Sequence, residues 1–544
     1  MQNLTDFISG KWIETLPLIG LYAESHFRFL IPFSRYFKRE PELIFDAPWR
    51  LEPGQNATIF LVINDAHLYP VQLDSVVIDV HLENKLISSQ SWHLDKQIDS
   101  PQSYLEFVLT DCELPGQELE ISPRLNYTVG GKKRLMLVDN YTQVEKHPLR
   151  ITIGADPLPN LEGWLSGDTH LHTSLTNDQI EFGASLEQTR KCAQLVGMDF
   201  ITATDHSYDL DDFPDDYLRN DPDLIKWQKS RDMIAEMNAT SDLTIIPGEE
   251  ISVSNASGAT VHLLHFNDPE YYPGSGDSGE DWPKLKSQLS IDDVLSKRSP
   301  NTASVGAHTA YKFPWLQRLL LKRGFWEAND HKNPELDGVQ ILCGTPASSA
   351  FHASRQLWIE ALLEGRRLGA FGGSDGHGNF NRNWHVRLPV WSLGTHEDQI
   401  FAQSRTLLRS AAAGIDELIQ AMKACRSALT TGPVGEITLH HSDQIYEIGD
   451  ILRIEQGKKL ELSVRGLTTQ EFGSRLDVSI YSGNLVTGQE SLFFHETDLA
   501  SGLALTMEHE PEASGYLRLE ITSDGSRWPG LYLSSPIWIE ITNK

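Results

Sequence analysis

The chain predicts an α/β protein: a closed barrel of parallel strands wrapped by helices, held between two β-sandwich-like domains. Three observations predict it. The middle of the chain alternates about seven short apolar runs with helical patterns, the rhythm of strand–helix–strand units. On either side lie runs of alternating apolar and polar residues, broken by turn chemistry. Six of the seven middle runs also end in residues that bind metals, as expected if the carboxyl ends of parallel strands meet on one face.

Residues 1–41 read as an N-terminal arm. The stretch "WIETLPLIGLYAESHFRFLIPFSRYF" is apolar, but Glu14, Glu24 and Arg28 make it too charged to span a bilayer. It is expected to pack on the protein's own domains. Residues 42–155 carry "ATIFLVIN", "SVVIDVHL", "YLEFVLTD" and "RLMLVDN", punctuated by "EPGQN" and "VGGKK". Alternation with such turns predicts a small β-sandwich. The linker "ADPLPNLEG" ends it.

The metal-site barrel is expected over residues 160–430. Its strand candidates are "GWLSGDTHLH", "DFITATDH", "LTIIPGEE", "ATVHLLHF", "ASVGAHT", "DGVQILCG" and "LGAFGGSDGH". Between the first two, Ser185 opens a helix with capping-box spacing to Gln188, and Gly197 closes it. Asp221-Pro222, a cap followed by a first-turn proline, predicts a second helix running through Ile234. After "TTGP", residues 431–544 return to strand alternation in "LELSVRGL", "RLDVSIYSG", "GYLRLEITSDG" and "SSPIWIEI".

A formal net charge of -29 over 544 residues repels phosphate backbones, so a nucleic-acid partner is not expected. A small anionic substrate stays compatible, because metal ions reverse the field inside a cleft. The four cysteines form no CxxC pair, which argues against a disulfide scaffold and a thiolate zinc site. With no signal-peptide pattern and no transmembrane run, a cytoplasmic protein is expected.

The candidate ligands are His170 and His172, Asp205 and His206, Glu249 and Glu250, His262 and His265, His308, and Asp375 with His377. Strand side chains alternate, so His170 and His172 point to one side, where two imidazoles can grip one ion. Nitrogen and carboxylate donors without thiolate suit zinc, manganese or iron. There are too many for one ion, so two or three divalent ions sharing a carboxylate fit the count. Other polar residues have plainer readings. His331 and His385 have no motif support, and "YDLDDFPDDY" reads as a solvated loop.

"GDTHLHTS", "ITATDH", "PGEE", "GAHT" and "GGSDGH", in this order and spacing, resemble the polymerase-and-histidinol-phosphatase (PHP) superfamily of metallohydrolases. Within it the chain is most similar to the CehA/McbA-like branch, through "LTTGPV" and the tail "SSPIWIEI". "AHT" stands where the family often has "AHP". The resemblance implies a distorted seven-stranded (β/α) barrel of PHP type. It further implies that His170, His172 and Asp375 bind one ion, Glu250 bridges, and His308 binds a second. A third would be held by His206, His377 and Asp178. The family pattern also selects His262 over His265.

The expected activity is therefore metal-dependent hydrolysis by a metal-bridging hydroxide, with Asp375 or His377 handling the proton. A phosphoesterase acting on small anionic substrates comes first, with Arg382 and Lys312 as candidate substrate-binding cations. Carbamate, ester or amide hydrolysis at the same metals is the alternative. A ligand- or envelope-binding module on a non-catalytic barrel is the reading from another class.

Overall fold

The computed structural model describes residues 40–542 apart from 113, 141–145, 177–182, 215, 276–285, 312, 314–317, 320–321, 382–384, 388–391, 395–398 and 526–528. All but the last two residues of the expected arm lie outside the described residues, as do Asp178, Lys312 and Arg382. Among the described residues no helix is long and apolar enough to cross a membrane.

Two facing sheets form the N-terminal part. One runs Glu42–Asp46, Thr58–Asn64, Gln102–Val108; the other runs Arg50–Leu51, Leu149–Ile153, Glu118–Val129, Val71–Leu82, Lys85–Ile98, with Lys132–Leu137 beside Glu118–Val129. Alternation does the work here. Val76, Ile78 and Val80 point inward from one strand and Leu119, Ile121 and Leu125 from its neighbour, and they close one core with Leu61 and Ile63. Thr58–Asn64 is buried on both faces, since Phe60 turns outward onto Leu171 and Phe380 in the middle of the chain.

All seven middle runs form strands: Trp164–Asp168, Phe200–Ala203, Thr244–Ser254, Thr260–Phe266, Ala303–Gly306, Gly338–Cys343 and Gly369–Gly373. Their arrangement corrects the expected fold class. There is no (β/α) barrel, and strands far outnumber helices among the described residues. Two causes are visible. First, Thr260–Phe266 runs antiparallel to both of its neighbours. Only residues 255–259 connect it to the preceding strand, and a crossover helix needs a dozen or more. That turn is set by Asn255, whose Oδ1 accepts from the N–H groups of Ser257 (3.1 Å) and Ala259 (2.8 Å). Second, the outer edge of Trp164–Asp168 is taken by Arg405–Arg409, running antiparallel. The sheet then continues through Ser427–Thr430 into Gly530–Ser534 of the tail instead of closing on Gly369–Gly373. Among the described residues the two ends are joined by an isolated bridge, Leu171 with Gly376, by the Asp375 N–H on His170 O (2.8 Å), and by side-chain bonds such as Thr169 Oγ1 to Gly372 O (3.0 Å).

The C-terminal strands form a second sandwich. Its small sheet, Gln444–Tyr446, Val434–His441, Leu460–Leu467, Leu503–His509, packs Ile437 and Leu462 against Val478 and Leu519 of the long sheet. The "SSPI" stretch has a visible task. Ser535 Oγ accepts from the Ala370 N–H (2.9 Å) and meets Ser427 Oγ (3.0 Å), so the tail fixes the strand that leads into "SDGH".

The helix Leu186–Val196 has the capping box of Ser185 and Gln188 and a left-handed Gly197 after it. The second helix spans Ile225–Thr240, later at both ends than expected. Asp221 caps from outside instead, Oδ2 accepting from Ile225 N–H (3.2 Å) across the left-handed Leu224. "YDLDDFPDDY" is not simply a solvated loop. Asp209, Asp211 and Asp212 are buried, with Asn220 Nδ2 bound to Asp211 Oδ2 (2.8 Å) and Lys226 near Asp212.

Candidate metal centre

Eight of the nine expected ligands are described, and they converge on Glu250. Its Oε1 lies 2.9 Å from His262 Nδ1, 3.1 Å from His308 Nε2 and 3.2 Å from His170 Nε2. Its Oε2 lies 3.0 Å from His206 Nδ1 and 3.4 Å from His172 Nε2. Asp375 Oδ1 stands 3.3 Å from His170 Nε2 and 3.2 Å from His172 Nε2. The His377 ring stacks on His172, centroids 4.1 Å apart. Among the described residues, three buried groups have ligand atoms close enough to hold a metal ion: His170, His172, Glu250 and Asp375; His206, Glu250 and His262; and His172, His206 and His377.

Strand direction explains which member of each ambiguous pair arrives. Glu249 and Glu250 are neighbours on an extended strand and face opposite ways. Glu249 accepts instead from Trp227 Nε1 (2.7 Å), Arg231 Nη2 (3.4 Å) and the Tyr272 N–H (3.4 Å). In the reversed strand Thr260–Phe266, the residues nearest the others' carboxyl ends are its first ones, so His262 reaches Glu250. His265 sits at the far end, between Ser304 Oγ (3.0 Å) and Asp268 Oδ2 (3.1 Å), fully packed. His331 is buried and bonded to the Glu327 carbonyl at 3.0 Å.

Several residues beside the ligands hold them in place. Asp205 coordinates nothing in the cluster; its carboxylate accepts from the N–H of Thr173 (2.6 Å), Thr173 Oγ1 (2.8 Å) and Thr176 Oγ1 (3.0 Å), clamping the loop after His172. Asp168 accepts from the N–H groups of Ser374 (3.0 Å), His170 (3.1 Å) and Ala402 (3.2 Å), tying three loops together. Gly373 permits the approach: a Cβ there would lie 2.7 Å from His170 Cβ. Asp375 and His308 take positive φ angles, 55° and 26°, strain of the kind held at functional sites. From the N-terminal sheets, Asp46 Oδ2 accepts the Phe380 N–H (3.0 Å) and Trp49 Nε1 donates to Phe401 O (3.0 Å), steadying the loop that carries His377.

Gln340 was missed by motif reading. Its Nε2 donates to Gly373 O (3.1 Å), which turns Oε1 towards His170 Nδ1 (2.9 Å) and the His308 N–H (3.0 Å). His170 therefore donates through Nδ1 and presents Nε2 to the cluster. The signal was a polar residue inside the apolar run "GVQILC", on the one middle strand with no ligand of its own: a buried amide needs partners. Gln340→Ala should lower metal affinity roughly ten- to a hundred-fold without unfolding the protein, as loss of a ligand-orienting bond does. Competition against a metal-sensing dye checks it; unchanged affinity would remove Gln340 from this role.

The field of the site is set by its carboxylates. Burial raises the Glu250 carboxyl, but His262 and His170 outweigh it and hold the group well below the ordinary range. Asp375 is likewise pushed up by burial and brought down further by His170 and His172. Burial lowers the His170 imidazole, yet Glu250 and then Asp375 raise it to about 9. Without a cation, the two carboxylates favour a proton on His170. A buried set of imidazole nitrogens and two carboxylates, with His170 and His172 Nε2 atoms only 3.3 Å apart, fits divalent metal ions by the chemistry of its donors.

No family model and no curated protein matches the chain. Among solved structures, a Paenibacillus cycloisomaltooligosaccharide glucanotransferase complexed with cycloisomaltoheptaose aligns at 9% identity and a TM-score of 0.19, over 92% of this chain and 72% of that one. A Parabacteroides merdae β-glucuronidase aligns at 9% identity and TM-score 0.18, over 94% and 64%. A calcium-binding mutant of Bacteroides uniformis β-glucuronidase 2 aligns at 12% identity and TM-score 0.17, over 94% and 62%. The chain spans less than two thirds of either glucuronidase, and scores this low carry no argument about its chemistry.

Proposed function

We propose that the protein is a metal-dependent hydrolase acting on small anionic substrates, most simply phosphoesters. One observation carries the reading: a single buried carboxylate, Glu250, is surrounded by His170, His172, His206, His262 and His308, with Asp375 opposite. The likeness of "GDTHLHTS", "ITATDH" and "GGSDGH" to PHP-superfamily motifs supports the same chemistry. Two or three divalent ions, zinc, manganese or iron, would be held by His170, His172 and Asp375, by His262 and His308, and by His206 and His377, with Glu250 shared. Bound there, they would polarise the substrate's oxygens and lower the pKa of water.

The chain's own residues do the rest. Asp375 keeps Oδ2 bonded to Gln399 Nε2 (2.9 Å) and turns Oδ1 towards His170 and His172, so one oxygen is fixed while the other faces the reacting region. His377 Nδ1 lies 3.3 Å from the Asp375 carbonyl, and Nε2 would serve the ion that His377 shares with His206. Burial around them excludes bulk water and strengthens each charge interaction.

The test is a screen of protein loaded with zinc, manganese or iron against phosphomonoesters, phosphodiesters, carboxylic esters and carbamates, with metal analysis alongside. We expect at least two metal equivalents per chain and phosphoester turnover that a chelator abolishes. Carbamate or ester turnover alone would overturn the substrate class, and no metal-dependent turnover would overturn the enzyme.

A further inference from the structure

We propose that Ser354 is a positioning residue for the metal ligand His308, and that the C-terminal sandwich braces it through Arg355. This rests on the metal-site reading above, and not on which reaction the ions serve.

His308 lies two residues past the strand Ala303–Gly306, at a φ of 26° that a non-glycine residue rarely takes. Such a turn keeps one geometry only when its surroundings over-determine it. On one side, Gln340 Oε1 accepts the His308 N–H (3.0 Å). On the other, Ser354 Oγ accepts twice, from Thr309 Oγ1 (3.1 Å) and from the Ala310 N–H (3.1 Å). Thr309 and Ala310 are the two residues that follow His308, so one hydroxyl fixes the path by which the chain leaves the ligand. Ser354, Thr309 and Ala310 are all buried, which keeps bulk water from taking over its bonds.

Ser354 reaches the turn from the helix Ser349–Leu363, which no motif marks. Two parts of the molecule hold that helix. Phe351 and Trp358 share one core with Val339 and Ala370 of the middle strands and with Leu533 and Trp538 of the C-terminal strands. Arg355, next in sequence, donates from Nε to Glu520 Oε1 (2.7 Å). Glu520 is also paired with Arg518, a fully buried guanidinium that grips Glu490 through Nε (2.7 Å) and Nη2 (2.6 Å). Paired charges of this kind fix register. Neighbouring helix residues differ by about 100° in rotation and about 1.5 Å in height. Fixing Arg355 therefore sets where Ser354 meets the His308 turn.

Zinc is the probe, added to metal-free protein in competition with a metal-sensing dye. The wild type should take at least two equivalents. Ser354→Ala should bind one at wild-type affinity and another roughly ten-fold more weakly. Thr309→Val, which removes one of the two donors, and Arg355→Gln should each weaken that same equivalent roughly three-fold or more. Thr309→Ser keeps the hydroxyl and should bind as the wild type does. A serine with a merely structural role would lower the melting temperature of the metal-free protein and leave the zinc affinities in place. Wild-type affinities in Ser354→Ala, or an equal loss at every equivalent, would overturn the positioning role. Unchanged zinc binding in Arg355→Gln would overturn the part given to the C-terminal sandwich. If Ser354→Ala does not fold, Thr309→Val and Thr309→Ser decide, and equal binding by those two overturns the proposal. A wild type that takes up no zinc would overturn the metal centre itself. If the pattern holds in a protein with no metal-dependent turnover, the hydrolase reading falls and the role of Ser354 stands.

Discussion

Glu250→Gln should leave a folded protein that loses most of its metal and all measurable turnover, a fall on the order of a thousand-fold or more in kcat/KM. Its two oxygens lie within 3.4 Å of five histidines, so no other residue in the cluster neutralises as much of the cations' charge. A glutamine keeps the volume, removes the charge, and turns an NH₂ donor into a space lined by ring nitrogens. Among the described residues, any cation would then face a ligand set with one carboxylate, Asp375, in place of two. The neighbouring substitution is the control. Glu249→Gln breaks an acceptor that Trp227, Arg231 and Tyr272 all use, so it should cost stability, about 2 kcal/mol, while metal content holds. Metal analysis, thermal unfolding and kcat/KM on both variants separate the two outcomes. If Glu249→Gln is the inactive protein, or Glu250→Gln keeps its metal, the register assigned to this strand is wrong.

What the sequence revealed and what it hid follow from the range of each interaction. All seven middle strands could be read, because an apolar run that ends in polar residues is a local signal. The capping box at Ser185 was equally local. Direction was not. The run "ATVHLLHF" looks the same forwards as backwards, and only the five-residue connection at residues 255–259 shows that it must reverse. Closure was misjudged for a longer-range reason. Nothing near Trp164 announces that Arg405–Arg409, more than two hundred residues away, will occupy its free edge. Helix starts drifted for a third reason, seen where Asp221 caps its helix across an extra left-handed residue.

The site divides the same way. Histidines and carboxylates that share a motif were visible because their chemistry is rare and their spacing is short. Gln340 was hidden because it lies outside every motif, and Asp168, inside "GDTHLHTS", hid its role because it acts through backbone groups of distant loops. His262 and His265 could not be separated by alternation alone, which puts them on opposite faces of one strand without saying which face carries the site. The reversed direction of that strand decides between them.

Metal binding should release protons and strengthen steeply with pH up to about 9. In the metal-free protein burial opposes the His170 imidazolium, but Glu250 and Asp375 raise its pKa to about 9, so near neutrality Nε2 carries a proton where a cation would bind. Each ion that binds there must expel it, and apparent affinity should rise roughly ten-fold per pH unit between 7 and 9 from this one group. The stability of the metal-free protein runs the other way. A histidine whose folded pKa lies above its unfolded value of 6.5 contributes fully below pH 6.5, and the contribution is lost as pH rises through 9. For a shift of this size the loss is on the order of 3 kcal/mol. The metal-loaded protein has no such proton to lose. Thermal unfolding with chelator and with saturating zinc or manganese, from pH 6 to 9.5, should therefore give curves that diverge as pH rises. His170→Gln should flatten the chelated curve. An affinity unchanged between pH 7 and 9, or a chelated protein that grows more stable over that window, would mean that His170 carries no proton in the empty cluster and that Glu250 and Asp375 do not act on it as their distances imply.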